Sequence, residues 1–324
     1  MKETRSAALA VISVLVVYSS TAKMAYDAHT ARSTAHFLRQ QVGILILCVP
    51  IIVIVHKINC RVYNRLAQPV YVLSLLLTLA VYFIGATTNG AARWIPVAGF
   101  QFQPSEALKV ATILLLARRL SSCQSKIDRI RIVPSLNPFR WGRPAQRKIW
   151  REGTRPILLP VVLSCAVIFP AHTSSAMLVF LTSLVMMLIG RVRVSELVRL
   201  VGLACAALLL AGLLNLGQSA MRVEMIHPES DYAYAFFVEE YGIILAGILL
   251  MLYLWIFFRA REIFVRCGTA FPGLLVLGLA LMITCHLARR LVGALHGHRI
   301  GDDPERQPPE RRTFARYAPL RVDL

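Results

Sequence analysis

At 324 residues, with 56% hydrophobic and only 16% charged side chains and a mean hydropathy of +0.60, the chain is too apolar for an average water-soluble domain. Its net charge of +19 would suit a nucleic-acid binder, but Lys and Arg fall in short stretches between apolar runs, the distribution of a polytopic membrane protein; no nucleic-acid partner is expected. The seven cysteines have neither paired nor metal-ligand spacing, so neither a disulfide framework nor a metal site is expected.

Ala7 to Tyr18 reads as a first membrane span with a cytoplasmic N-terminus rather than as a signal peptide, because further spans of the same character follow. Val42 to Val55 is the second, ending at the basic stretch HKINCRVYNR of residues 56–65. The third, Pro69 to Gly85, leads into an outer loop, TTNGAARWIPVAGFQF, whose single basic residue is Arg93. The fourth, Gln103 to Ala117, exits into residues 118–155, where eleven Lys and Arg face two acids; such a loop belongs in the cytoplasm and can lie on anionic headgroups.

Pro156 to Phe169 and Ala176 to Ile189 form the fifth and sixth spans around the turn PAHTSS, and RVRVSELVR, residues 191–199, returns the chain to the basic side. Val201 to Leu216 is the seventh, Tyr232 to Phe258 the eighth and Phe271 to Ile283 the ninth. About nine spans would put the C-terminus outside, yet residues 286–324 hold eight arginines, which breaks the charge rule obeyed by every earlier loop. The expected architecture is one all-α polytopic membrane domain over residues 1–284, followed by a disordered basic tail, 285–324.

Charged groups in or beside spans are the candidates for function, since an ionised side chain at mid-bilayer costs about 2.5 to 3.5 kcal/mol on insertion scales. Glu106 and Lys109 stand three apart on a helix beginning at Pro104, so they share a face; a structural ion pair and a substrate contact are both open. Asp231 can cap the eighth helix from outside or serve chemistry. Glu239 and Glu240 point about a hundred degrees apart, so at least one accepts hydrogen bonds from another span or lines a polar cavity. Arg93 with Trp94 can anchor the interface or present a guanidinium fork to a diphosphate. His172, in the turn, reads as a hydrated or capping residue.

Three segments resemble the SEDS family (shape, elongation, division and sporulation), whose members include FtsW, RodA and SpoVE. Gly90-Ala91-Ala92-Arg93-Trp94-Ile95 with Phe102-Gln103-Pro104-Ser105-Glu106-Ala107-Leu108-Lys109 is similar to the family's GAxRWI and FQPSExxK. Ser230-Asp231-Tyr232-Ala233-Tyr234-Ala235, followed by Glu239-Glu240-Tyr241-Gly242, is similar to SDFIYA and EExG, and HTSSAML, residues 172–178, to a divergent PDxGTA segment. HPESDYAYAFFVEEYG and the long basic loop look closest to the FtsW-like division branch.

The resemblance implies a ten-span helical bundle and a peptidoglycan glycosyltransferase that polymerises lipid II, the undecaprenyl-diphosphate-linked precursor, beside a class B penicillin-binding protein and other division or elongation proteins in the bacterial inner membrane. Asp231 falls on the family's essential aspartate and is the expected catalytic base. Arg93, Gln103, Ser105, Glu106, Lys109, Glu239 and Glu240 are the expected substrate-binding residues. No cofactor is evident, and the motifs leave a divalent-cation requirement open. A non-catalytic membrane scaffold and a lipid II transporter are the alternative functions.

Two stretches depart from the family pattern. The large outer loop after the seventh span is reduced, with Leu213-Leu214-Asn215-Leu216 running straight into Gly217-Gln218-Ser219. Beyond GTAFPGLLVLGLALMIT the family's QAxxN segment and tenth span give way to CHLARRLVGALHGHRIGDDPERQPPERR, which reads as a frameshift near Cys285 and puts the activity of this copy in question.

Overall fold

The computed structural model describes residues 43, 46–48, 50–55, 57–84, 86–88, 91–97, 100–124, 127, 150–170, 173–213 and 233–301. Contacts divide the chain into two units: Asn59–Pro228 with Met251–Ala288, and Met1–Ile58 with Glu229–Leu250 and Arg289–Leu324.

The first unit begins with α1, Cys60–Ile84, preceded by Asn59, a residue type favoured before a helix start; the Val62 amide donates to the Asn59 carbonyl at 2.9 Å. The helix therefore starts well before Pro69, the expected beginning of the third span. Its early turns are charged, and charge reads as loop in a sequence although Arg, Asn and Gln are compatible with helix. Along α1 the large apolar side chains face outward, Leu73 at 66%, Leu76 at 58% and Phe83 at 88% exposure, while Ser74 and Thr78 are buried. Hydroxyls inside and leucines outside is the arrangement of a helix solvated by hydrocarbon, where small and polar groups make the helix contacts.

Cys60–Phe83 and Ala270–Arg289 are long and apolar enough to cross a membrane, and only 28% and 44% of their residues are buried, unlike the core helix of a soluble domain. Together with the shorter apolar helices Ile46–Val55, Arg155–Ile168 and Thr173–Ile189, this marks an integral membrane protein built from helices.

The expected outer loop carries a small antiparallel meander, β1 (Ala86–Thr88), β2 (Ala91–Val97) and β3 (Phe100–Phe102). Thr88 pairs with Ala91, and Val97 with Phe100. Asn-Gly lies between the first two strands in sequence, the pair that two-residue hairpins favour. β2 packs against both α1 and α2, so the meander caps the end of the unit where those helices are joined.

α2, Pro104–Cys123, is the centre of the unit: twelve of its 20 residues are buried. Pro104 occupies its first turn, where the missing N–H costs nothing. A π-helical segment, Trp150–Leu158, leads into α3, Leu159–Ile168. Pro156 and Pro160 each remove a backbone donor there, so a regular α ladder cannot run through the stretch. α4, Thr173–Ile189, and α5, Val194–Leu213, are joined by a tight turn in which Arg191 takes φ 66, a left-handed value uncommon outside glycine.

α6 is Ala233–Arg266 and α7 is Ala270–Gly301; the parts from Met251 to Arg266 and from Ala270 to Ala288 belong to this unit. A Cβ at Gly278 of α7 would lie 2.6 Å from Met186 Sδ and 2.8 Å from Ile113 Cγ2, so the missing side chain is what lets α7 approach α4 and α2. The helix continues past residue 285, where the expected bundle ends, as far as Gly301, since Leu287, Leu291, Val292 and Leu295 keep a helical period.

Hydroxyl bonds knit the interior. Thr112 Oγ1 lies 2.8 Å from Ser164 Oγ; Ser164 Oγ donates to the Pro160 carbonyl at 2.9 Å, and the Tyr71 hydroxyl donates to the same carbonyl at 2.8 Å. In the second unit the described residues are helical: Ile46–Val55, the first part of α6 and the end of α7. The first span, Ala7 to Tyr18, and residues 302–324 lie outside the described residues, and of the loop from Arg118 to Arg155 only its two ends and Ile127 fall within them.

Candidate functional site

The site is built at the start of α2. Gln103 precedes the helix in an extended conformation, and its carbonyl accepts the Glu106 amide at 3.1 Å. Glu106 stands in the first turn, where the positive end of the helix dipole favours a carboxylate. Three residues on, Lys109 Nζ lies 2.6 Å from Glu106 Oε1, so the spacing read from sequence forms a pair. The environments of its members differ: the Lys109 side chain is 0% exposed and that of Glu106 49%.

A buried ammonium must be neutralised and hydrogen-bonded, because its desolvation alone costs several kcal/mol. Glu106 provides the charge, and His286 of α7 supplies a second partner, its Nε2 3.1 Å from Lys109 Nζ. An ammonium has donors only, so a charged Lys109 requires Nε2 as the acceptor and hence a neutral ring carrying its proton on Nδ1. One carboxylate open to solvent, one sealed amine and one imidazole thus sit together.

His286 was not among the expected site residues. It is 177 positions from Lys109, and it lies in a stretch whose departure from the family pattern directs attention to irregularity rather than to contact. The signal available was the topology conflict after Ile283, which marks the region without naming a residue.

The other expected residues divide in two. Ser105 is buried beside the pair, on the first turn of α2. Arg93 is placed by β2, between Ala92 and the Trp94 that pairs with Ala86. Glu239 and Glu240 lie on α6, within the second unit. Asp231 and His172 lie outside the described residues. The described structure brings Glu106, Lys109 and His286 into contact, with Ser105 on the same helix start.

Comparisons with known proteins agree with one another. A family profile described as "Cell cycle protein", FTSW_RODA_SPOVE, matches residues 3–229. A protein named "Probable peptidoglycan glycosyltransferase FtsW" from Trichlorobacter lovleyi is 36% identical over 129 residues, 39% of this chain and 32% of that relative, so the match spans about a third of the curated relative's length. Among solved structures, a variant of the rod shape determining protein RodA of Thermus thermophilus aligns with a TM-score of 0.62 at 22% identity, over 89% of this chain and 84% of its own. A peptidoglycan synthase complex, described as coordinating polymerization and crosslinking, aligns at 0.61 and 21% identity, over 89% and 86%. At these identities the two structures establish the helical fold.

Proposed function

The chain belongs to the FtsW/RodA/SpoVE family of cell cycle proteins, and from that premise we propose that it is a peptidoglycan glycosyltransferase that polymerises lipid II during division or cell-shape control. The observation that carries the reading is the sealed Lys109 with its half-exposed Glu106 at the meander end of α2, an arrangement that a simple membrane span has no need to maintain. The name of the FtsW relative supports the same activity.

In this reading an acceptor sugar hydroxyl attacks the anomeric carbon of the growing strand. The new C–O bond forms as the bond to undecaprenyl diphosphate breaks, and the hydroxyl proton passes to Asp231 as general base. Cationic groups offset charge on the departing diphosphate; Arg93 on β2 is the candidate for that contact, since Lys109 is sealed and already engaged by Glu106. Gln103, Ser105, Glu106, Glu239 and Glu240 orient the substrate. The roles of Asp231, Glu239 and Glu240 rest on motif alone. No organic cofactor takes part.

The protein sits in the bacterial inner membrane with a cytoplasmic N-terminus, on the strength of its loop charges. Its partner is a class B penicillin-binding protein, a reading supported by the shared fold with a synthase complex that couples polymerization to crosslinking.

A second reading is favoured by the reduced outer loop and the altered sequence beyond Cys285: a non-catalytic scaffold that keeps the partner contact. Reconstitution of the full chain and a class B penicillin-binding protein with lipid II separates the two. Polymer formation by wild type, lost in Asp231→Ala while membrane insertion persists, is the expected result; unchanged polymerisation removes the base assignment. No polymer from wild type favours the scaffold, and lipid II crossing the liposome bilayer without polymer favours transport.

A further inference from the structure

At the end of the first unit opposite the meander, a cavity of about 400 Å³ opens between α1, the last turns of α2 and the π-helical segment leading into α3. Arg119, Arg151 and Arg155 contribute to its lining, with Gln68 beside them and Val72 and Leu163 on the apolar wall. Among the described residues no carboxylate pairs with any of the three arginines. Arg119 donates from Nη2 to Gln68 Oε1 at 3.1 Å, while its Nε is buried without a hydrogen-bond partner among the described residues.

Three guanidiniums line one cavity and Arg119 keeps a buried donor to spare, a set that a phosphate oxygen fits. Burial, and then the positive charges of Arg118 and Arg155, push the Arg119 guanidinium below its ordinary proton affinity. The wall decides which molecule. Val72 and Leu163 are exposed at 45% and 38%, and the neighbouring Leu76 and Val162 at 58% and 48%. A soluble anion would use the arginines alone; a lipid headgroup joined to acyl chains uses the arginines and the apolar wall of the same cavity. A zwitterionic lipid would bring its own cation to a site already crowded with them.

We propose that this cleft binds an anionic phospholipid of the basic membrane face, its phosphate held by Arg119, Arg151 and Arg155 and its acyl chain laid along Val72 and Leu163. Basic pockets between membrane helices on the cytoplasmic side take such headgroups. The site is separate from the Lys109 cluster and independent of the glycosyltransferase reading.

The test uses the purified full chain in mild detergent, with lipid retention measured by native mass spectrometry for phosphatidylglycerol and for phosphatidylethanolamine of matched acyl chains. Wild type is expected to retain phosphatidylglycerol at least about tenfold better, and the exposed-residue variants Arg151→Gln and Arg155→Gln to lose about fivefold each, as does Arg119→Gln. Val72→Trp, which fills the apolar wall but leaves the arginines, is expected to lower retention as well. Arg261→Gln, an exposed arginine on α6, is the control and should leave it unchanged. Equal retention of the two lipids, or an undiminished preference in all three arginine variants, overturns the proposal. Displacement of phosphatidylglycerol by inorganic phosphate as readily as by fresh lipid overturns it too, in favour of a simple anion site.

Discussion

α2 carries a cation problem at each end and solves the two differently. Near its start Lys109 is fully buried, and the protein supplies partners itself, among them Glu106 one turn earlier and His286 from α7. Near its finish Arg118 and Arg119 are half-buried beside Arg151 and Arg155, and the described residues supply only a carbonyl, from Arg65, and the Gln68 amide oxygen. Elsewhere on the basic face the protein does make pairs: Arg199 with Glu196 at 2.9 Å on α5, and Glu262 with Arg259 and Arg266 on α6, where the bond from Arg259 holds the Glu262 carboxyl below the usual carboxylate range. The cluster around Arg119 is therefore a departure from local habit. A group neutralised internally contributes to stability; a group left for an outside partner contributes to binding.

The contrast is broken most directly at Glu106. Glu106→Ala removes the Glu106 charge from beside the sealed Lys109 ammonium and is expected to cost about 2 to 3 kcal/mol, below the full penalty for a buried pair because Glu106 is half exposed. Lys109→Met leaves only a solvent-accessible carboxylate and should cost much less. The double variant should recover most of the Glu106→Ala loss, and additivity in a denaturation-based double-mutant cycle would remove the claim that the pair is coupled.

Gly278→Leu tests the packing that brings α7 to α2. A side chain meeting Met186 and Ile113 is expected to destabilise by about 1 to 3 kcal/mol, read as a lowered Tm in detergent. His286→Phe removes the second partner of Lys109 and should cost about 1 kcal/mol, whereas His286→Gln, which keeps an acceptor, should cost less; equal losses would reduce His286 to a space filler. The smallest effect belongs to the other end. Arg119→Gln should change stability by no more than about 0.5 kcal/mol, toward stabilisation, and the gain should shrink as salt screens the repulsion it relieves.

The two ends were also unequally legible. Pro104 followed by Glu106 and Lys109 contains the helix start, the shared face and the pair in six residues, because helical geometry is local. Arg119 was legible only as one charge in a basic loop, since its cleft is assembled from α1 and the π-helical segment as well. His286 needed the approach of α7 through Gly278, a contact that no local pattern encodes. In the sequence the meander reads as loop, because Asn-Gly, Pro96 and Gly99 are turn signals and its strands are too short for alternation to show. Helix ends ran further than expected at Cys60, Val194 and Arg266, in each case through charged residues that mark a membrane boundary but not a helix boundary. The family itself was carried by the motifs, two of which, around Asp231 and His172, fall wholly or partly outside the described residues.

The Pro160 carbonyl, shared by Tyr71 and Ser164 with Thr112 bonded to Ser164 in turn, acts on the helices as a vernier mark. Apolar surfaces in lipid slide past one another at little cost, because each new setting is as greasy as the last. Here the bonds from Tyr71 to Pro160 and between Thr112 and Ser164 single out one setting of α1, α2 and α3. A shift of one helical turn, about 5.4 Å, would part Thr112 from Ser164 and take the Tyr71 hydroxyl off the Pro160 carbonyl, while Thr112 and Ser164 kept only the carbonyls of Leu108 and Pro160 in their own helices. The axial position of the α2 start, and so the height of Lys109 in the membrane, is thereby fixed by groups that never approach it.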